Sequence, residues 1–186
     1  MTYTVAYLVG SASEDSLNRR LARALAQAAP ASMELVEAEI AGLPFYRPEL
    51  DREFPEIGAR LKSVVEESDG VVLVTPEYNR AVPAVLRNAL DWLSRPMGLN
   101  SLTGKPVMIA GATPGAVGSA VAQAELRSVL GFFNARLMGQ PELYIRIRKE
   151  QFDEDGRAAT PGTQELLERA MSAFEAHIAS FGASAA

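Results

Sequence analysis

Glu77, Tyr78 and Asn79 stand together in the stretch Thr75-Pro-Glu-Tyr-Asn-Arg80, and their side chains form a recognisable set. Tyr78 offers an aromatic face, Asn79 an amide and Glu77 a carboxylate, while a turn around Pro76 leaves backbone N–H groups free. That mixture suits a flat heteroaromatic ring with hydrogen-bonding edges better than a bare phosphate or a metal. The same residues would also make an ordinary Pro-Asn turn that caps a helix.

A second set lies near the N-terminus, in Gly10-Ser-Ala-Ser-Glu-Asp-Ser-Leu-Asn18. Ser11, Ser13, Ser16 and Asn18 are hydroxyl and amide groups placed where a helix begins. A helix start gathers unpaired N–H groups and the positive end of the helix dipole, which favours an anion. With one glycine and no lysine, the loop matches neither GxxxxGK[ST] nor GxGxxG, so a monophosphate fits better than a pyrophosphate. Capping by Asp15 or Ser16 is the other reading, and it is compatible with anion binding. Glu14 and Asp15 count against a phosphate unless they face solvent. A third small-residue loop, Gly111-Ala-Thr-Pro-Gly-Ala-Val-Gly-Ser119, has three glycines that let backbone approach a ligand closely.

The absences narrow the chemistry. The chain has no cysteine and one histidine, His177, which lies in a helical segment far in sequence from all three loops. Disulfides, thiolate catalysis, His-based triads and Cys/His zinc sites are therefore not expected. The acidic run Phe152-Asp-Glu-Asp-Gly-Arg157 lacks the spacing and terminal Glu of an EF-hand and reads as a solvated turn. If the protein is an enzyme, a bound cofactor carries the chemistry. A net charge of −5 with scattered basic residues argues against a nucleic-acid partner. No apolar run approaches the length of a membrane span. The N-terminus runs into a strand pattern without a charged leader, so a cytoplasmic protein is expected.

The elements that must position these loops follow from periodicity. Tyr3 to Val9 is a β-branched and aromatic strand, followed by a helix over Leu17 to Gln27 with Leu17, Leu21, Ala24, Leu25 and Ala28 on one face. Ser32 to Glu37 reads as a second strand, and residues 40–48 as a proline-rich turn whose Phe45 and Tyr46 pack over the sheet edge or a partner. A second helix spans Pro55 to Ser68. Val71 to Val74 is an unbroken apolar run, as in a strand covered on both faces. The helix opened by Pro83 buries Val82, Val85, Leu86, Ala89, Leu90 and Leu93. Arg87, Asn88 and Asp91 form a solvated or interface face, and Trp92 is an anchor. Pro106 to Thr113 is a fourth strand, Ser119 to Phe133 a helix, and a fifth strand starts at Arg136 and runs towards Leu143. Gln164 to Phe181 closes the chain. With 186 residues and no linker or repeat, a single domain over residues 1–186 is expected.

The tally is an α/β three-layer sandwich around a five-stranded parallel sheet of order 2-1-3-4-5. All three loops then fall at carboxyl ends of strands, where such sheets bind ligands and where flavin mononucleotide sits in the flavodoxin-like case.

At the level of motifs the chain resembles the NADPH-dependent FMN reductases, close to bacterial quinone and chromate reductases. The residues that carry the resemblance are Gly10-Ser11, Ser16-Leu17-Asn18, Thr75 to Asn79, Val82-Pro83 and Leu86 to Ser94. Leu102 to Val107 and the Gly111–Ser119 loop with Leu126-Arg127 add to it. It implies a flavodoxin-like fold and non-covalent FMN, reduced by NAD(P)H and reoxidised by quinones, azo dyes, nitroaromatics or chromate. By position it assigns the phosphate to Ser11, Ser16 and Asn18, and Ser13 and Leu17 of the same loop are further candidate cofactor contacts. The ring goes to Pro76, Glu77, Tyr78 and Asn79, with Thr113 and Gly115 at the ring edge. Homodimers or homotetramers are expected, with the site near the subunit interface. One departure stands out: many members carry an arginine where this chain has Ser13, and a small residue where it has Asp15. Weakened FMN retention is expected from it. The competing readings are a flavin-binding electron carrier and a protein that kept the fold but lost the cofactor.

Overall fold

A computed structural model describes residues 2–147, 152–153 and 157–182. Five strands were expected; six are present among these residues: β1 (Tyr3–Val9), β2 (Met33–Glu37), β3 (Gly70–Val74), β4 (Pro106–Thr113), β5 (Arg136–Leu137) and β6 (Leu143–Arg146). They alternate with α1 (Leu17–Gln27), α2 (Glu56–Glu67), α3 (Ala84–Leu93), α4 (Ala120–Phe132) and α5 (Pro161–Gly182). Every pairing between them is parallel, in the order β2-β1-β3-β4, with β5 and β6 both on the outer edge of β4. The flavodoxin-like order read from the sequence therefore stands.

The edge beyond β4 corrects the expectation of one strand from Arg136 towards Leu143. β5 pairs with Pro106 and Val107 at the start of β4, and β6 pairs with Ala110 to Thr113 at its end. The sequence between them, Gly139-Gln-Pro141, interrupts the ladder, because proline has no N–H to donate and glycine adds no side chain to pack.

β3 shows why the sheet is covered on both sides. Val71 and Leu73 point into one apolar cluster with α2, α3 and α4, while Val72 and Val74 point into the other with α1 and α5. All four are buried, and the two-residue period of a strand sends neighbours to opposite faces. Trp92, fully buried on α3, receives the edges of Tyr46 and Phe54 at 5.4 and 5.0 Å between ring centres. Its Nε1 donates to the Pro44 carbonyl at 2.8 Å.

Asn88 departs from the expected solvated face. It is buried, accepts from the Tyr46 N–H at 2.9 Å and donates to the Pro44 carbonyl at 3.0 Å. The residues of 43–46 run across α3 with backbone groups that need partners, and Asn88 supplies them. Tyr46 packs inward as described, whereas Phe45 stays exposed. His177 has a structural place, with Nε2 2.8 Å from the Arg136 carbonyl oxygen and its ring beside Phe174 and Phe181. Of the expected acidic turn, residues 154–156 lie outside the described residues; Asp153 and Arg157 pair through their backbones.

Candidate active site at the carboxyl edge of the sheet

The three loops meet. Gly10 N–H donates to the Val74 carbonyl at 2.8 Å, and Thr75 N–H to the Ala110 carbonyl at 2.9 Å. Each loop therefore leaves the sheet locked to its neighbour. Between them lies an open cleft of about 180 Å3. Nine of the eleven expected residues line it: Ser11, Ser13, Ser16, Leu17, Asn18, Pro76, Glu77, Tyr78 and Thr113. Asn79 sits at the exposed tip of its turn, and Gly115 lies further out on the third loop, its carbonyl accepting from the Thr113 hydroxyl at 3.3 Å. The walls also include Asp15, Ala112 and Pro114. Ala112 and Pro114 carry no polar side chain, so only the small-residue character of 111–119 could have signalled them.

On the first loop, Ser16 caps α1 by accepting from the Arg19 N–H at 3.2 Å. The first two amides of the helix, those of Leu17 and Asn18, have no acceptor within it, and both residues line the cleft. Two arginines follow immediately, and both are engaged. Arg19 bonds Glu37 at 2.5 Å, and Arg20 pairs with Asp15. Glu37 also accepts from the Tyr7 hydroxyl at 3.1 Å; burial and then the Glu37 charge push that phenol above its ordinary range, so it remains a donor. Asp15 is thus compensated by Arg20 rather than left as a bare negative charge at the loop.

For two expected contacts the structure gives the side chain a different first task. Asn18 donates to the Ala112 carbonyl at 2.9 Å and accepts from the Ala112 N–H at 3.0 Å, so its amide ties the start of α1 to the end of β4. Glu77 accepts from the Val121 and Ala122 N–H groups at 2.9 and 3.1 Å, capping α4 from another loop. Tyr78 and Ala81 exchange backbone hydrogen bonds across a two-residue turn whose central residues, Asn79 and Arg80, both have positive φ (53° and 63°). Positive φ at both central positions is the mark of the tight hairpin turn of primed type. It leaves Tyr78 half exposed, 53%, beside the cleft.

Glycine is required where the loops cross most closely. A Cβ at Gly111 would lie 2.1 Å from the Ser119 Oγ and 2.4 Å from the Thr75 carbonyl oxygen. Gly118, at φ 60°, would place one 2.7 Å from the Tyr144 backbone.

The cleft has the parts a phosphorylated flavin needs: helix-head amides and hydroxyls at one end, an aromatic face and tight backbone at the other. Among the described residues no group of three His, Cys, Asp or Glu could hold a metal. No helix of the described residues is long and apolar enough to cross a membrane.

Comparison with known proteins agrees with this geometry. Residues 3–150 match the family model described as NADPH-dependent FMN reductase. A 2-hydroxy-1,4-benzoquinone reductase from Burkholderia sp. is 41% identical over 178 residues, covering 96% of this chain and 97% of its own. A quinone reductase from Escherichia coli K12 is 39% identical over 174 residues, covering 91% and 92%. Among solved structures, FerB of Paracoccus denitrificans, a flavoenzyme NAD(P)H:(acceptor) oxidoreductase, superposes with a TM-score of 0.92 at 39% identity, covering 96% and 98%.

Proposed function

The chain belongs to the NADPH-dependent FMN reductase family, and from that premise we propose how its site is used. The protein is an FMN-dependent NAD(P)H oxidoreductase of the quinone reductase type. The observation that supports the placement below is the meeting of three ligand-type loops on one sheet edge.

The phosphate would lie at Ser11, Ser13 and Ser16 with the Leu17 and Asn18 amides, and the ring against Pro76 to Asn79 with Thr113 and Gly115 at its edge. FMN, when bound, supplies two-electron chemistry that accepts hydride from NAD(P)H and passes electrons to an acceptor. The chain's own residues bind, orient and shield. Helix-head amides and serine hydroxyls would hold the phosphate by hydrogen bonding and offset its charge only through their dipoles. The tight 78–81 turn presents Tyr78 as a wall for a planar group. The Gly111–Ser119 loop supplies close backbone in place of side chains. No side-chain nucleophile is required, in keeping with the absence of cysteine.

Small quinones are the acceptors this reading favours, with chromate as a further acceptor. A homodimer or homotetramer in the cytoplasm is the proposed working form. Exposed Phe132 (86%), Met97 and Leu99 are large apolar groups of the kind that second copies cover.

The test is an anaerobic titration of purified protein with FMN, then NADPH or NADH, then a benzoquinone. Flavin bands that shift on binding, bleach with the nicotinamide and return with the quinone are expected. Binding without bleaching would favour an electron carrier instead.

The phosphate end makes its own prediction. With Arg19 and Arg20 both engaged, the exposed Ser13 is where an added guanidinium would meet the phosphate. Ser13→Arg is expected to tighten FMN roughly 10- to 100-fold, since a charge-assisted hydrogen bond contributes about 1.5–3 kcal/mol. Titration of flavin fluorescence against apoprotein measures it; an unchanged dissociation constant would remove the phosphate from this loop.

A further inference from the structure

Two carboxylates join the second loop to α4 in opposite directions. Glu77, near the start of the loop, reaches out to the Val121 and Ala122 N–H groups at the head of the helix, at 2.9 and 3.1 Å. Glu125, one turn along α4, reaches back to the Val82 N–H at the far end of the same loop, at 2.9 Å. The segment between residues 77 and 82 is therefore fastened to one helix at both ends.

Several details show that these contacts are built in. Ser119, which should cap α4, sits in the left-handed region at φ 69° and makes no capping bond; its hydroxyl accepts from Gln123 instead, at 3.1 Å. The helix thus depends on a carboxylate 44 residues away in sequence to satisfy its leading amides. The Glu77 side chain is only 10% exposed, with Arg80 at 3.8 Å. Glu125 has Arg87 at 4.0 Å. Between the two fastenings lie Asn79 and Arg80, both at positive φ, a conformation that asparagine adopts readily and arginine holds only at some cost.

We propose that Glu77 and Glu125 form a crossed clamp that holds the Tyr78–Ala81 hairpin in its ligand-ready shape, so that Glu77 is a positioning residue and not a ring contact through its carboxylate. The proposal rests on the reading of this loop as the ring-contact loop. Its effect on function is preorganisation: a hairpin already fixed loses less freedom when the ring docks. Because the hairpin needs both ends, opening either one releases it, although Glu125 is not among the residues that line the cleft.

The test uses Glu77→Ala, Glu77→Gln, Glu125→Ala and the double alanine variant, each as full-length apoprotein. Hydrogen exchange of the Tyr78 and Ala81 amides is read first, without flavin. Both single alanine variants are expected to speed it, and Glu77→Gln to restore most of the protection, since an amide oxygen can accept the same two bonds. FMN titration is read second. Glu77→Ala is expected to weaken binding about 10-fold or more, with charged hydrogen bonds to two amides lost. Glu125→Ala should weaken it in the same sense, and the double variant by less than the product of the two. Unchanged exchange in both single variants would overturn the clamp. So would FMN weakening from Glu77→Ala alone, which would make its carboxylate a direct contact. Faster exchange in the single alanine variants, with neither wild type nor variants binding FMN, would uphold the clamp and overturn the cofactor placement instead.

Discussion

Gly111→Ala is expected to cut FMN affinity by more than about 10-fold and to lower the melting temperature by several degrees. The added Cβ would sit 2.1 Å from the Ser119 Oγ and 2.4 Å from the Thr75 carbonyl oxygen. One neighbour is a side chain already held by Gln123, and the other is backbone, so neither can step aside cheaply. Overpacking of this kind costs about 1–3 kcal/mol and sometimes more, and each kcal/mol corresponds to roughly 2–4 °C in a domain of this size. The functional loss is expected to exceed the stability loss. Thr75 begins the second loop, Ser119 ends the third, and Ala112, next along the chain, carries the Asn18 contacts to the first. A shift at Gly111 therefore moves all three walls of the cleft together. Gly131→Ala is the matched control: nothing lies within 4 Å of its Cβ position in α4. That variant should gain about 0.5–1 kcal/mol, because alanine loses less backbone freedom in a helix, with FMN affinity unchanged. Normal FMN binding by Gly111→Ala would mean that the loops do not share this junction.

Trp92→Ala is expected to be the most destabilising single change in the chain, at about 3–5 kcal/mol for a buried large-to-small substitution. Trp92 is fully exposed to no solvent at all; it fills the space under Tyr46 and Phe54, and Gly58 comes close enough that a Cβ there would lie 3.0 Å from its ring. Its Nε1–H also satisfies the Pro44 carbonyl. Removing the ring therefore leaves a cavity, costs the Pro44 carbonyl one of its two donors, and leaves Asn88 to hold residues 43–46 against α3 without the packing. Denaturant unfolding measures the first effect. Limited trypsin digestion measures the second, since cleavage after Arg52 should appear in the variant before global unfolding, while the Arg47–Pro48 bond resists trypsin in either protein. Trp92→Phe should cost markedly less, because most of the volume stays and only the hydrogen bond and part of the contact are lost. Equal costs for the two variants would show that the hydrogen bond, and not packing, dominates.

How far the site could be read from the chain differs residue by residue. That Ser11, Ser16, Pro76 and Tyr78 line one cleft was legible because their context is local: a strand ends, a helix begins, and the residues between lie at the carboxyl edge of the sheet. The single strand expected from Arg136 towards Leu143 failed because its interruption at Gly139-Gln-Pro141 was read as continuous. Asn88 was misplaced because helical spacing put it with Arg87 and Asp91, and spacing does not register a crossing backbone that needs an amide.

By itself the sequence determined the βα alternation and the placing of three polar loops at strand ends, since these rest on periods of two and 3.6 residues and on turn chemistry within a few positions, whereas the strand order was expected from the likeness to flavodoxin-like sheets. Tertiary structure alone decided what the polar side chains hold. Asn18 finds Ala112 94 residues away, and Glu77 finds Val121 at a distance of 44. A carboxylate or an amide is drawn to whatever unpaired N–H the packing brings within reach, and that partner is set by how the helices lie on the sheet, not by neighbours in the chain.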